Sequence, residues 1–348
     1  MPSPHPTDST ANVDDDGAIS ISAVHPDIIQ AHILTRLDGP TLASAGCASS
    51  HLHALSTQDK LWRDICTSTW PSINDPRVQR LISSFPSGHR SFFSDSFPLL
   101  DPSSFCRFGH GRPLSSTSEL ISAVDIFYKD SLIFSKVQEI ETLSGWFLCS
   151  PFRVDLLDPK ESAPTPIQHV AGEDDGAWLK HLEENLTLSW IVIDPTRKRA
   201  ANLSSRKAVS VQRHWLTGDV QLRYTTIMAR GPGRDDDHVE CAMVVTCGGK
   251  EGGKLEVREV SLQVEDMEGK HLSGRDSLGI LESAIEGGKR KKLAGKGREF
   301  GKQRYEEYLE MQRQRKEKKA RRERALDMAC IVCGISMFVG FWTFLVFR

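Results

Sequence analysis

The sequence predicts an α+β protein: three short helices at the N-terminus, a β-rich middle domain built as an antiparallel sandwich, and a basic helix leading into a single transmembrane helix. Three observations predict it. Apolar residues recur at helical spacing between Pro26 and Trp62. Apolar and polar residues alternate in several runs between Leu186 and Val264. The segment Met328 to Phe347 contains 20 residues and no charge.

The first helix starts where Pro26 suits a first helical turn, and Ile29, Ile33 and Leu37 follow every four residues, with Ile28 and Leu34 beside them. Asp38-Gly39-Pro40 ends it. A second helix is expected through Leu42, Ala45, Ala48 or Ser49, Leu52 and Leu55, and a third from Thr57 through Leu61, Trp62 and Ile65. Three helices this short bury little surface alone, so such a unit is completed by a partner or by the next domain.

The run VHPDIIQAHILTRLDGPTLASAGCASSHLHALSTQDKLWRDIC resembles an F-box over about 45 of the 348 residues. The matching positions are Pro26, Asp27, Ile28, Ile33, Leu34, Leu37, Leu42, Leu61 and Trp62. The sequence departs from that pattern at His25, at Pro40-Thr41 and around Ser50 to His53. The segment from Trp70 to Pro98 resembles the stretch that follows the F-box in a plant subgroup, here with a C-terminal membrane tail. The resemblance implies a non-catalytic substrate-receptor subunit of a cullin-type ubiquitin ligase. A Skp-type adaptor would bind through Pro26, Ile28, Ile29, Ile33, Leu34, Leu37, Leu42, Leu61 and Trp62 and connect it to a cullin scaffold. An unidentified protein target would bind the β-rich domain. The alternative is a membrane-anchored carbohydrate- or lipid-binding, lectin-like module with the N-terminal helices as a structural cap.

The expected divisions are a disordered segment 1–18, the helical unit 19–66, an extension 67–117, the β-rich domain 118–285, a basic stalk 286–327 and the membrane tail 328–347. Within the β-rich domain, Ser118 to Leu143 reads as helical at first, from Leu120, Ile121, Val124 and Phe127, then Leu132 to Val137. Leu186 to Ile193, Val209 to Trp215, Val220 to Met228, Ala242 to Val245 and Leu255 to Val264 read as strands. Leu255 and Val257 share one phase and Val260, Leu262 and Val264 the other, which predicts a bulge near Arg258 and Glu259. About 6 to 8 strands are expected. Trp146, Trp178, Trp190 and Trp215 are available for a binding face, but burial in the core is expected of Trp190 and Trp215.

Charge is unevenly placed. The chain carries −2 overall, yet residues 289–324 hold 16 Lys or Arg against 6 Glu, which leaves −12 for residues 1–288. A basic strip beside an apolar span favours anionic lipid over nucleic acid, and few aromatic residues, Tyr305 and Tyr308 among them, interrupt it for stacking. Lys316, Lys318, Lys319, Arg321, Arg322 and Arg324 form the membrane-facing flank. A helix of 20 residues is about 30 Å long and matches a bilayer core. The basic side stays cytosolic, so the expected arrangement is single-pass, with the body in the cytosol at the endoplasmic reticulum or another organelle surface. The eight cysteines form no framework, which suits a reducing compartment.

No cofactor and no metal centre are expected. Gly248 to Lys254 fits a phosphate-loop spacing, but Leu255 stands where Ser or Thr is needed and a strand follows, so a hairpin turn is predicted. Asp235-Asp236-Asp237-His238 lacks a spaced second ligand group and reads as an exposed loop. No catalytic constellation is present, so no enzyme activity is predicted.

Overall fold

The computed structural model describes residues 24–97, 99–100, 117–169, 174–229, 238–249, 252–287, 290–291 and 297–348. Residues 1–18, Asp235 to Asp237 and Lys289, for which expectations were stated above, lie outside them. The chain forms two compact units that meet between Ile65 and Cys66.

The first unit holds α1 (Pro26–Ile28), α2 (Gly39–Ala48), α3 (Ser50–Ser56) and the start of α4 (Asp59–Thr69). The expected first helix is broken. After α1 comes a wide turn over Ile29–Ile33 and a tight 3-10 turn over Leu34–Arg36. The expected second helix is two helices, because Ser49 is extended and its hydroxyl caps α3 by accepting from the Leu52 amide at 3.2 Å.

The second unit continues through a 3-10 turn (Pro71–Asn74), α5 (Pro76–Ser83) and α6 (Gly88–Ser96). Twelve strands are described: β1 (Leu99–Leu100), β2 (Glu119–Tyr128), β3 (Ser131–Glu141), β4 (Arg153–Asp155), β5 (Ala163–Gln168), β6 (Leu186–Asp194), β7 (Arg199–Asn202), β8 (Ser210–Arg213), β9 (Val220–Ala229), β10 (His238–Gly248), β11 (Lys254–Asp266) and β12 (Arg290–Lys291). Helices α7 (Gly145–Cys149), α8 (Asp175–Asn185), α9 (Gly274–Gly287) and α10 (Gly297–Val346) complete it.

One sheet has the order β3-β2-β6-β7, and a second runs β4-β11-β10-β9-β8 with β5 also paired to β11. A small third sheet joins β1 to β12. Every described pairing is antiparallel. Leu120, Val124, Trp190 and Val192 from the first sheet share a core with Leu222, Tyr224, Met243 and Leu262 from the second.

The runs Val220 to Met228 and Leu255 to Val264 are strands in the phase read from sequence. Leu222, Tyr224 and Met228 point into the core from β9. The bulge lies where expected: Thr246 pairs with Glu259 and Cys247 with Val257, so Arg258 is the extra residue. Gly248 and Lys254 belong to the two arms of the β10–β11 antiparallel hairpin, as read against a phosphate loop.

Residues 119–141 are a correction. They form the β2–β3 hairpin rather than a helix. β2 sits between β3 and β6, and Leu120 through Ile126 are all buried. A strand covered on both faces has no polar side to alternate with, so its apolar positions also fit a helical stripe. The hairpin turns on Lys129 and Asp130, with φ of 48° and 63°, the left-handed pair a two-residue turn requires.

Polar groups fasten the extension 67–97 to the first sheet. Buried Asp125 accepts from the Ser72 amide at 2.9 Å, the Ser72 hydroxyl at 2.6 Å and the Ser135 hydroxyl at 2.7 Å. Arg199 of β7 pairs with Asp95 of α6 at 2.8 Å. Trp70 packs on Phe92 and Phe93 at 5.8 and 5.7 Å between ring centroids. On another side, Arg197 bridges Asp194 at 2.8 Å and Glu282 of α9 at 3.2 Å. The start of α9 crosses Phe147 so closely that a Cβ on Gly274 would lie 2.0 Å from the Phe147 carbonyl oxygen.

Asp125→Ala should cost about 2–4 kcal/mol, because one amide and two hydroxyls lose a buried acceptor. Burial raises the Asp125 carboxyl above its ordinary value, against the lowering effect of the Ser72 and Ser135 hydrogen bonds. A carboxyl with a raised folded pKa contributes stability that is lost as pH rises through that value. The stability of Asp125→Asn should therefore improve relative to wild type as pH rises above the ordinary carboxyl range of about 4. Urea unfolding at several pH values measures this; a difference that does not change with pH contradicts it.

Candidate functional site

The candidate site is the helical unit at residues 24–65. Pro26 opens α1, and the His25 ring accepts from the Asp27 amide at 3.3 Å. The wide turn that follows closes with the Leu34 amide donating to the Ile29 carbonyl. Residues five apart then share a face. Ile29 and Leu34 are buried at 0 and 1 % exposure, whereas Ile28 and Ile33 stand 50 and 39 % exposed. Leu37 is half-buried and Pro26 exposed. The four-residue spacing read from sequence had grouped Ile29 with Ile33 and Leu37; the wide turn breaks that stripe.

Leu42 lies on α2 and is fully buried. The Asp38 side chain caps this helix by accepting from the Thr41 amide at 2.9 Å. Hydrogen bonds from Thr41 hold the Asp38 carboxyl below its ordinary value. Helices α2 and α3 approach closely at Gly46, where a Cβ would meet the Ser56 hydroxyl oxygen at 2.5 Å. Leu61 and Trp62 of α4 are buried at 5 and 2 % exposure, and the Trp62 indole N–H donates to the Ser56 carbonyl at 2.7 Å. The Gln30 and Gln58 side chains bond to each other, tying the wide turn to the entry of α4.

The candidate adaptor residues thus fall into two sets. Ile29, Leu34, Leu42, Leu61 and Trp62 are buried and build the unit, while Pro26, Ile28 and Ile33 present apolar surface. Beside them is an open depression of about 380 Å³, lined by Asp27, Gln30, Ala31, Thr35, Lys60, Leu61 and Asp64.

Other candidates are less concentrated. Trp178 and Trp190 are buried. Trp215 is 88 % exposed, which corrects its assignment to the core, and Trp146 is 82 % exposed. Strand β8 ends at Arg213, which pairs with Val220, and the chain turns back as His214 donates to the Asp219 carbonyl at 2.7 Å. Trp215 therefore sits in the turn, outside the strand's alternation. The sequence signal for this was Gly218, which adopts a φ of 72°.

Among the described residues, no group of three or more His, Cys, Asp or Glu is placed to hold a metal ion. Burial raises the pKa of the Cys241 and Cys247 thiols, which keeps them protonated.

Helix α10 is the other candidate element. It is long and apolar enough to cross a membrane, and its apolar part is exposed. Lys316, Lys318, Lys319, Arg321, Arg322 and Arg324 are all exposed on it. Arg321 pairs with Glu317, four residues before it on the helix, at 3.7 Å. The basic stalk is docked on the second unit near its start. Tyr308 is 1 % exposed against Ile227 and Met267, and its hydroxyl donates to the Asp266 carbonyl at 3.1 Å.

No family model matches the chain, and no solved structure matches it. Curated relatives do. The chain is 51 % identical over 350 residues to the F-box protein At2g27310 of Arabidopsis thaliana, covering 97 % of this chain and 100 % of the relative. It is 48 % identical over 332 residues to the F-box protein At3g44326 of the same plant, covering 93 and 90 %. It is 47 % identical over 330 residues to the probable F-box protein At2g36090, also of Arabidopsis thaliana, covering 94 % of each chain. The chain belongs to the F-box protein family.

Proposed function

We propose that this protein is a non-catalytic substrate-receptor subunit of a cullin-type ubiquitin ligase, held on a membrane by the end of α10. The observation that carries the reading is the exposed apolar set Pro26, Ile28 and Ile33 on a small helical unit, in a chain of F-box membership. A Skp-type adaptor covers that set and links the protein to a cullin scaffold. The sheets of the second unit receive a protein target. Bringing the target to the ubiquitin-charged partner raises its effective concentration, which needs no chemistry from this chain. The body faces the cytosol, because the basic residues preceding the span remain on that side.

The test is capture of purified Skp-type adaptor by the detergent-solubilised full chain. Saturable binding is expected. Absence of binding by a folded chain rejects the receptor reading.

The membrane part has its own measurement. The full chain should stay with membranes after alkaline carbonate extraction, whereas a chain lacking residues 328–348 should be released. Release of the full chain refutes the span and leaves the adaptor reading standing.

A further inference from the structure

Helix α10 is continuous from Gly297 to Val346, so no flexible joint separates the body from the apolar segment. Its first turns cross the outer face of the second sheet. Lys302 pairs with Glu183 at 2.9 Å, and Tyr305 packs with Tyr308 and Met311 against Ile227 and Met267. Beneath them Arg223 of β9 pairs with Glu240 of β10 at 2.7 Å and with Glu265 of β11 at 3.2 Å. The helix then leaves past the turn after β11, where Lys319 pairs with Glu268 at 3.7 Å. From Lys319 to Met328 the remaining rise is about 13 Å. The intervening helix is built from strong helix formers, and Arg313 with Glu310 at 3.1 Å and Arg321 with Glu317 at 3.7 Å add spaced pairs along it.

We infer that α10 is a rigid mount that turns one end of the β-rich unit, the Asp266–His271 turn, toward an anionic lipid surface. This rests on the membrane span proposed above. The opposite end of the sheet carries the β8–β9 turn with Trp215 and Leu216. The pairing of Ala229 with His238 and Val220 with Cys247 places the two ends a strand's length apart, about 30 Å. Of the two acidic residues in this turn, Glu268 pairs with Lys319 and the Asp266 carboxylate accepts from the Glu268 and Lys270 amides. Lys270, Lys316, Lys318 and Arg322 remain to face lipid phosphates, within about one or two screening lengths of the bilayer. Trp215 and Leu216 are held away from the membrane and are not an insertion element.

The experiment uses the full chain in vesicles of phosphatidylcholine with a minority of phosphatidylserine and a lipid-borne acceptor dye. A fluorescent amino acid replaces Lys270 in one preparation and Leu216 in another. Energy transfer to the lipid should be at least about twofold greater from position 270, given a separation of about 30 Å. Inserting a short Gly-Ser segment after Arg313 should bring the two transfers together. Chains that float with the vesicles but show equal transfer from both positions overturn the mount and leave the span intact. A difference that survives the Gly-Ser insertion also overturns it. Chains that fail to float refute the span itself.

Discussion

The Ile28→Asp/Ile33→Asp double variant is expected to lose Skp-type adaptor binding by about a hundredfold or more while keeping the wild-type melting temperature. Both side chains are substantially exposed, at 50 and 39 %, so the change removes little internal packing. In a complex each would bury most of an isoleucine, worth about 1.5–3 kcal/mol, and an aspartate there adds a desolvation cost. Trp62→Ala provides the contrast. That indole is 2 % exposed and donates to Ser56, so its loss should cost about 3–5 kcal/mol of stability. A small helical unit has little reserve, and this variant should lose binding together with its helical signal. Isothermal titration and circular dichroism on the two variants separate the roles. Unchanged affinity in the double variant rejects Ile28 and Ile33 as contacts.

Trp190→Ala should lower the stability of the second unit by about 3–5 kcal/mol in urea unfolding. Trp190 is fully buried in β6, a central strand, and shares a core with residues of both large sheets. Its indole N–H donates to the Ser122 hydroxyl at 3.2 Å, so truncation also strands a buried polar group on β2. Trp190→Phe, which keeps most of the volume, should cost less than half as much. Equal losses for the two would mean that the hydrogen bond outweighs the packing. A loss under about 1 kcal/mol for Trp190→Ala contradicts the burial argument.

These variants divide along the line between local and remote information. Strands β6, β9 and β11 were legible because polar and apolar residues alternate along them or because Asp194-Pro195 stops a compact apolar run. The bulge at Arg258 was legible because the phase of alternation changes there. The long apolar helix at the C-terminus was legible from length and charge alone. Each of these signals is carried by neighbours in the chain. The β2–β3 hairpin was not, since β2 is covered on both faces by strands and helices remote in sequence, and Lys129-Asp130 is an unusual pair for a left-handed turn.

The adaptor candidates show the same division at the scale of one turn. The sequence by itself placed helical apolar spacing between Pro26 and Trp62, because Pro, capping Asp and apolar spacing act locally. Only the tertiary structure decided that Ile29 and Leu34 turn inward while Ile28 and Ile33 turn outward. That choice follows from a five-residue turn closed by one backbone hydrogen bond, and a helical period cannot express it. The docking of Tyr308 on the second sheet was likewise a tertiary decision. A tyrosine in a charged helix reads as solvated until a surface over 40 residues away in sequence, at Ile227 and Met267, is folded to receive it.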